Sequence, residues 1–572
     1  MKAGPDSVAA QIARLLAARG VPRVFALCGG HIMPIWMALD AAGIQIIDVR
    51  DERAAVHMAQ AHAELTGELG VALVTAGPGL TNAITGIANA HVSRAPVLVM
   101  SGGSPRAQEN RGGLQDLDAT QLVRSITRYA RTVREPTLVL PELDEAIARA
   151  FGESGEPGPV YIDFPVDTQR ADIPAVLQLE EHIRPKPRVV HEPDPAQVTA
   201  AIDLLWGAKR VLVISGRGAK GAGSELVALL DRLGAVYLDT GESRGLVPDT
   251  HPSVVGAMRG AVMGDADVVL TVGRRLDFQL AYGSPAVFGA AQFVRIGDTA
   301  GELRDNRRGA AEISATPRAA LRALVDAAGN RPSAVDKEWA AKLRASHESR
   351  AAKLQNTLAT AAPGSDGKLH PNRVIGALGE AMGPDAIVIT DGGDFLAFAR
   401  VGLNAPTMLD PGPFGCIGVG VPYGIAAALA FPDRPVLVAT GDGAFGFNAI
   451  EIDTAVRHKA PVLFVVANNG AWQIEVHDQT VTHGKVVGTR LQSADHAAMA
   501  RAFGLHAERV ERLEDLAPAI ERAMANRPAL LDVVVTPEAV SSDAKSGLAW
   551  VPDLQPLAAW DDAERRWRDK GK

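Results

Sequence analysis

Two polar side chains, Asp442 and Asn469, have the types and the spacing that suit a divalent cation bound to phosphate. Asp442 follows an apolar, strand-like run at 435–440, and Asn469 follows a second such run at 461–467, 27 residues after Asp442. Ligands of open α/β sheets bind beyond the carboxyl ends of the strands, so both side chains are expected at one edge. One carboxylate and one amide oxygen, completed by phosphate oxygens, suit Mg²⁺, which seldom has an all-protein shell. The sequence therefore predicts a site for a magnesium-chelated diphosphate.

A second candidate is Glu52, near the N-terminus. It follows a largely apolar strand-like run at 44–49 and precedes a helix-like run at 54–65. Another strand-like run, 71–75, leads into the turn Gly-Pro-Gly-Leu-Thr-Asn at 77–82. Taken alone, a glutamate at a helix start is a surface carboxylate that the helix dipole favours, so its role stays open at this point.

The elements that must position these residues alternate between strand-like and helix-like runs, which favours parallel sheets wrapped by helices. The 572 residues suffice for about three or four domains. A proline-rich segment at 184–188 and a polar stretch at 360–370 read as connections. We predict an α/β protein of three doubly wound parallel-sheet domains and a tail, with bounds 1–183, 184–355, 356–540 and 541–572.

Two further segments each allow two interpretations. The run 210–215 enters a glycine-rich turn at 216–221, which suits a close approach to phosphate but is equally typical of a tight turn. The tail contains Trp550, Trp560 and Trp567. It is either a helix packed on the surface or a flap that closes over an active site.

The composition excludes several classes of function. A net charge of −8 argues against nucleic-acid binding through bulk positive charge. Two cysteines cannot form a disulfide framework or a zinc site, so a reducing cytoplasm is the expected location. No apolar run of about 18 residues predicts a membrane span.

Together these motifs resemble the signature of thiamine diphosphate (ThDP) enzymes, in the superfamily of acetolactate synthases, 2-hydroxyacyl-CoA lyases and oxalyl-CoA decarboxylases. The resemblance extends to about residue 540. It implies that the side chains of Asp442 and Asn469 and the carbonyl of Ala471 bind Mg²⁺. Gly443 and Ala444 then adjoin the diphosphate.

The resemblance also gives Glu52 a role. It implies that Glu52 is the catalytic glutamate and that Pro78 and Asn82 line the pyrimidine site. A carboxylate bound to the pyrimidine nitrogen promotes loss of the thiazolium proton, while the electron sink belongs to the cofactor. By the same resemblance, Ile417 is the apolar wedge under the cofactor, and the Gly415 carbonyl accepts from its amino group.

One more loop, 391–395, matches the loop that touches the diphosphate and contributes Gly393 and Asp394. A carboxylate beside phosphate is unfavourable, so the orientation of Asp394 stays open. In this superfamily the pyrimidine and diphosphate halves belong to different chains. A homodimer is therefore the expected minimum unit, and a homotetramer is the commoner assembly.

The branch of the superfamily follows from other segments. Residues 245–252, 266–270, 273–278 and 305–307, and 444–447 running on to Glu451, look like the acyl-CoA branch. Residues 29–31 and 80–82 look more like acetolactate synthases. We predict a 2-hydroxyacyl-CoA lyase, which produces formyl-CoA and an aldehyde or ketone. The alternatives are an acetolactate synthase that acts on pyruvate or another 2-keto acid, and a catalytically silent ThDP-binding partner subunit.

The predicted substrate site contains residues that the resemblance places near the reacting atoms. Gln115 is a polar positioner, and Glu475 or His477 is a base for the substrate hydroxyl. Leu114 and Trp472 are expected to line the pocket.

The central domain has a predicted nucleotide site. Members of the acyl-CoA branch bind ADP there, and Arg217 and Lys220 are the candidate phosphate contacts. The acid expected at the ribose falls near Asp298. Most biosynthetic acetolactate synthases hold FAD in this domain instead.

Overall fold

The computed structural model describes residues 4–178 and 180–570, and it contains three all-parallel β-sheets. The first sheet comprises β1 (Arg23–Ala26), β2 (Gln45–Asp48), β3 (Gly70–Val74), β4 (Val97–Gly103), β5 (Tyr129–Thr132) and β6 (Val160–Pro165). The second comprises β7 (Val211–Ser215), β8 (Val236–Leu238), β9 (Val268–Val272), β10 (Gln292–Gly297) and β11 (Ala311–Ser314). The third comprises β12 (Ile387–Asp391), β13 (Thr407–Leu409), β14 (Val436–Gly441), β15 (Val462–Asn468), β16 (His506–Val510) and β17 (Ala529–Val534).

Helices cover the faces of each sheet. The first domain has α1 (Val8–Ala18), α2 (Met33–Ala41), α3 (Glu52–Thr66), α4 (Pro78–Val92), α5 (Ala119–Val123), α6 (Val139–Ala150), α7 (Val166–Arg170) and α8 (Glu180–Ile183). The central domain has α9 (Pro195–Gly207), α10 (Gly223–Leu233), α11 (Arg259–Asp265), α12 (Pro285–Phe288), α13 (Ala300–Leu303), α14 (Pro317–Ala328) and α15 (Lys337–Thr360). The last domain and the tail have α16 (Pro371–Met382), α17 (Asp394–Gly402), α18 (Gly420–Ala430), α19 (Asp442–Asn448), α20 (Ile452–Arg457), α21 (Gln473–His483), α22 (His496–Ala502), α23 (Leu513–Ala525), α24 (Ser542–Lys545) and α25 (Ala558–Lys570).

The strand orders create the crevices in which ligands of such sheets bind. They are β2-β1-β3-β4-β6-β5, β11-β10-β9-β7-β8 and β13-β12-β14-β15-β17-β16. In the last sheet the chain moves from β12 to β13 on one side and then to β14 on the other, which opens a crevice between β12 and β14. The first sheet has the same switch between β1 and β3. The predicted fold class is confirmed.

The predicted domain boundaries stay predictions, although each sheet lies within its predicted range. The boundary at 355/356 falls inside α15, a continuous helix. The loop at 361–370 follows that helix and leads to α16. One apolar core cluster includes residues of both outer domains, because α3 packs against α18. These two domains are therefore joined by a shared core as well as by chain connections.

The tail runs along the surface and contacts two domains. Helix α24 packs against α17 and α21 of the last domain, and α25 packs against α12 of the central domain. Glu564 accepts from the Ser284 hydroxyl, and Gln555 Nε2 donates to the Ala281 carbonyl at 3.4 Å. Both ends of the tail are thus held. Within the described residues, no helix is long and apolar enough to cross a membrane.

The segment Asp305-Asn306-Arg307 has a structural role in the central domain. Asp305 accepts from the buried guanidinium of Arg295 at 2.5 and 2.9 Å and from Leu276 N at 2.6 Å. Arg307 donates to the carbonyls of Gly283 and Ala291. These bonds fix the loops beside β9 and β10.

We predict that Asp305→Asn destabilises the central domain, because it leaves the buried charge of Arg295 uncompensated. The expected loss is roughly 3 kcal/mol in the free energy of unfolding. Chemical denaturation followed by tryptophan fluorescence, to which the buried Trp206 of this domain contributes, measures it. Asp203→Asn, which breaks an exposed pair with Arg331 in the same domain, is the control with a change below about 1 kcal/mol. Equal effects would contradict the role of Asp305.

Candidate active site

The loops that follow β12, β14 and β15 meet at one edge of the last sheet. These strands are neighbours and run in parallel, so their carboxyl ends lie side by side. Asp442 Oδ2 accepts from Gly470 N at 2.8 Å, which joins the loop after β14 to the loop after β15. Asn469 Oδ1 accepts from Ala471 N at 3.1 Å. The structure thus brings together Asp442, Asn469 and Ala471.

This donor set fits the predicted metal. A carboxylate, an amide oxygen and a carbonyl are hard ligands that suit Mg²⁺ when phosphate oxygens complete the shell. Within the described residues, no group of three or more His, Cys, Asp or Glu side chains could hold a metal ion. Burial raises the pKa of Asp442 to about 6, partly offset by the N–H groups of Gly470 and Gly443. A bound cation would favour the ionised form.

Two glycines in these loops lie under the first residues of α21. A Cβ at Gly443 would stand 2.6 Å from the Trp472 ring, and one at Gly393 would stand 2.8 Å from Ile474 Cγ2. A side chain at either position would collide with Trp472 or Ile474, so glycine is what lets these two loops pack closely against the start of α21. Trp472 also packs edge-on against Phe447, with ring centroids 6.1 Å apart. Ala444, next to Gly443, is buried.

The loop predicted to bend the cofactor is held by a residue that the sequence analysis missed, Asp391. Its buried carboxylate accepts from Gly392 N at 2.7 Å, Gly418 N at 3.0 Å and Gly420 N at 2.7 Å. Asn448 Nδ2 donates to the Gly418 carbonyl at 2.6 Å. Gly415 is exposed and Ile417 is half-buried in this loop. An Asp at the end of a buried strand, directly before two glycines, was the available signal.

The pyrimidine half lies in the first domain. Glu52 begins α3 and is 6% exposed, and its Oε2 accepts from Asn82 Nδ2 of α4 at 3.1 Å. Pro78 and Asn82 are exposed. Asp51 caps α3 by accepting from Arg53 N at 2.8 Å, which fixes the helix start that carries Glu52. The structure places Glu52 in contact with Asn82, and Pro78 begins the helix α4 that carries Asn82.

Gln115 lies beside the pyrimidine half and has a strained backbone. Its φ of +60° is unusual for a residue with a side chain. A Cβ on Gly77 would lie 2.9 Å from Gln115 Cβ, so the two turns are in contact. Leu114 is 75% exposed. A cavity of about 770 Å³ opens here, lined by Gln115 and by both arginines and carboxylates. Two of these arginines, Arg131 and Arg134, pair with Glu142 and Glu109.

The two candidate bases differ in their surroundings. Glu475 is exposed, and partial burial together with Asp478 raises its pKa. His477 Nε2 lies 3.1 Å from the Ala539 carbonyl and 3.2 Å from Gln473 Nε2, so residues of the last domain already contact this nitrogen. The roles of both residues stay predictions, and Glu475 is the one open to solvent.

Asp394 faces the tail. Its buried carboxylate interacts with the side chain and the backbone of Ser541, while burial raises its pKa. The sequence left the orientation of Asp394 open, and the structure shows its carboxylate directed towards Ser541 of the tail.

The candidate nucleotide residues have unequal surroundings. Arg217 Nη1 lies 3.0 Å from Glu64 and its Nε lies 3.4 Å from Glu242, so two buried carboxylates already balance its charge. Lys220 Nζ donates to the Glu64 carbonyl at 3.0 Å, and burial lowers its pKa to about 8. A cavity of about 630 Å³ adjoins Lys220 and Asp298. Of the two cations, Lys220 is the one that lines this cavity.

We predict that Asp391→Asn loosens the loop at 415–420, because one carboxamide oxygen cannot accept all three N–H groups. The free energy of unfolding should fall by about 1–3 kcal/mol. Thermal unfolding of the variant measures this loss, with the exposed Asp433→Asn of the same domain as control. A variant as stable as the control would mean that these bonds do not organise the loop.

Comparison with known proteins places these sites in a family. The N-terminal TPP binding domain of thiamine pyrophosphate enzymes matches residues 6–122, the central domain matches 198–324, and the C-terminal TPP binding domain matches 391–533. Thiamine pyrophosphate is another name for ThDP.

Similar proteins carry two different activities in their names. A probable acetolactate synthase of Mycobacterium bovis is 33% identical over 94% of this chain and 97% of its own. The 2-hydroxyacyl-CoA lyase 2 of Homo sapiens is 32% identical over 86% of this chain and 83% of its own. The 2-hydroxyacyl-CoA lyase 1 of Mus musculus is 30% identical over 92% and 94%. The chain therefore belongs to the ThDP-dependent enzymes of the acetolactate synthase and 2-hydroxyacyl-CoA lyase family.

Proposed function

We propose that this protein is a ThDP- and Mg²⁺-dependent carbon–carbon lyase that cleaves a 2-hydroxyacyl-CoA to formyl-CoA and an aldehyde or ketone. The related lyases 1 and 2 support this reaction. The observation that carries the choice is the cavity of about 770 Å³ beside Gln115. It is far larger than a three-carbon keto acid needs, which favours a larger substrate such as an acyl-CoA.

The chain's own residues have defined roles in this proposal. Asp442, Asn469 and Ala471 would hold Mg²⁺, and the backbone at Gly393 and Gly443 would adjoin the diphosphate. When bound, ThDP supplies a nucleophilic carbon and an electron sink.

Glu52 holds the pyrimidine by a hydrogen bond, and Asn82 orients the Glu52 carboxylate. Gln115 positions the substrate. The exposed Glu475 takes the proton of the substrate hydroxyl, while Trp472 and Leu114 line the substrate pocket.

We further propose that two chains complete each site. Glu52 contacts Asn82 of its own domain, whereas Asp442 contacts Gly443 and Gly470 of the last domain. Large apolar side chains beside the diphosphate half are exposed, namely Phe414, Phe447 and Ile450. A second chain that covers them would bring its Glu52 to this half, which supports a homodimer or homotetramer.

Two further proposals concern the periphery of the site. The cavity beside Lys220 and Asp298 suits ADP, because a cation and an acid stand where a phosphate and a ribose would bind. The tail would act as a lid, since Asp394 of the diphosphate half interacts with Ser541 and α24 packs against α17 and α21.

Acetolactate synthase is the second candidate, because the probable acetolactate synthase matches as much of the chain as the lyases do. Purified protein with ThDP and Mg²⁺ should cleave a 2-hydroxyacyl-CoA and give formyl-CoA, detected by chromatography. Glu52→Gln should lower turnover by roughly 100-fold or more, because the pyrimidine loses its acid–base partner.

The other results of the same assay decide between the alternatives. Acetolactate formed from pyruvate, without cleavage of the acyl-CoA, would replace the lyase by the synthase. Binding of ThDP without turnover of either substrate would indicate a silent partner subunit. Normal turnover by Glu52→Gln would contradict the role of Glu52.

A further inference from the structure

Glu451 is a fully buried carboxylate of the last domain that the proposed function does not use. It ends the short helical turn Ala449–Glu451 between α19 and α20 and is 0% exposed. A buried carboxylate costs free energy unless hydrogen bonds satisfy it. Its partners therefore show which part of the structure it serves.

Those partners lie in the first domain, directly before Glu52. Glu451 Oε1 accepts from Arg50 N and from Asp51 N, each at 3.0 Å. Its Oε2 lies 3.3 Å from Arg50 N and accepts from Thr454 Oγ1 at 2.6 Å. The carboxylate thus caps the backbone that leads from β2 into α3.

Neighbouring contacts reinforce this anchor. Arg53 donates to the Phe447 carbonyl at 2.8 Å and to Asn448 Oδ1 at 3.1 Å. Arg457 donates to the Asp48 carbonyl at 2.7 Å. The segment 48–53 is held by residues 447–457, a stretch that begins five residues after the metal-site residue Asp442.

We infer that Glu451 is a positioning residue for Glu52. It fixes the two backbone N–H groups before Glu52 and so sets where α3 begins and where the Glu52 carboxylate stands. The inference rests on the proposed role of Glu52. What matters is the length of the Glu451 side chain, because it brings an acceptor oxygen within 3.0 Å of the N–H groups of Arg50 and Asp51.

Two substitutions separate reach from charge. Glu451→Gln keeps the length and one acceptor oxygen for both N–H groups, with its amide facing the Thr454 hydroxyl. Glu451→Asp keeps the charge but is one methylene too short. The control is Asp453→Asn, which alters an acid two residues away that pairs with the side chains of Arg50 and Arg457 and not with this backbone.

The readout is the rate at which the thiazolium C2 proton of bound ThDP exchanges with deuterium, measured by NMR after acid quench on the full-length protein with Mg²⁺. Glu451→Asp should slow exchange by roughly 10- to 100-fold, as a displacement near 1 Å does. Glu451→Gln and Asp453→Asn should stay within about threefold of the unmodified protein. ThDP affinity and thermal stability are measured alongside.

The outcomes are distinct. The inference is overturned if the C2 proton exchanges at the unmodified rate in Glu451→Asp but slowly in Glu52→Gln. That result leaves the proposed role of Glu52 intact. Fast exchange by Glu52→Gln overturns both. If Glu451→Asp does not fold, Thr454→Val decides, because it removes the hydroxyl that orients Oε2 and that also accepts from Arg457 Nη2 at 3.2 Å, within the same anchor. Unaltered exchange in that variant would equally overturn the inference.

Discussion

Buried carboxylates that accept backbone N–H groups organise the last domain. Asp391 holds the loop at 418–420, Asp442 joins the loops after β14 and β15, and Glu451 reaches into the first domain. Each stands where a strand or a helical turn ends and where N–H groups would otherwise lack partners. Hydrogen bonds to ionised groups are stronger than neutral ones, so these residues can fix glycine-rich loops that have little side-chain packing of their own.

The same arrangement explains why function and fold are tightly linked here. Parallel strands bring their carboxyl ends to one edge, and the glycines there let the loops pack closely beneath Trp472 and Ile474. Glycine-rich backbone suits the approach of a diphosphate, but it is flexible unless anchored. Asp391 supplies this anchor without covering the surface that the ligand needs. Stability and ligand binding therefore draw on the same hydrogen bonds.

Much of this could be predicted from the sequence. The apolar runs at 435–440 and 461–467 became β14 and β15, because continuous apolar segments form buried parallel strands. The turns after them fixed the position of Asp442 and Asn469. Glu52 was found only through its resemblance to a known motif, since a glutamate at a helix start has no distinctive local pattern.

Other features could not be predicted because they depend on contacts between distant segments. Arg217 carries the type and position of a phosphate ligand, yet Glu64 of the first domain faces it. Glu451 and Arg50 are 401 residues apart, and nothing local to either residue indicates their bond. The contacts of the tail with α21 and α12 likewise could not be predicted, because they depend on how the domains pack. Local periodicity predicts elements, whereas these pairings arise from domain packing.

The central claim is that each active site combines Glu52 of one chain with the metal residues of another. Mixed assemblies of Glu52→Gln and Asp442→Ala chains test it most directly, because a mixed dimer would contain one intact site. Equal co-refolding should restore about a quarter of the unmodified turnover, since about half of the dimers are mixed and each has one working site of two. Turnover no higher than that of either variant alone would contradict the account.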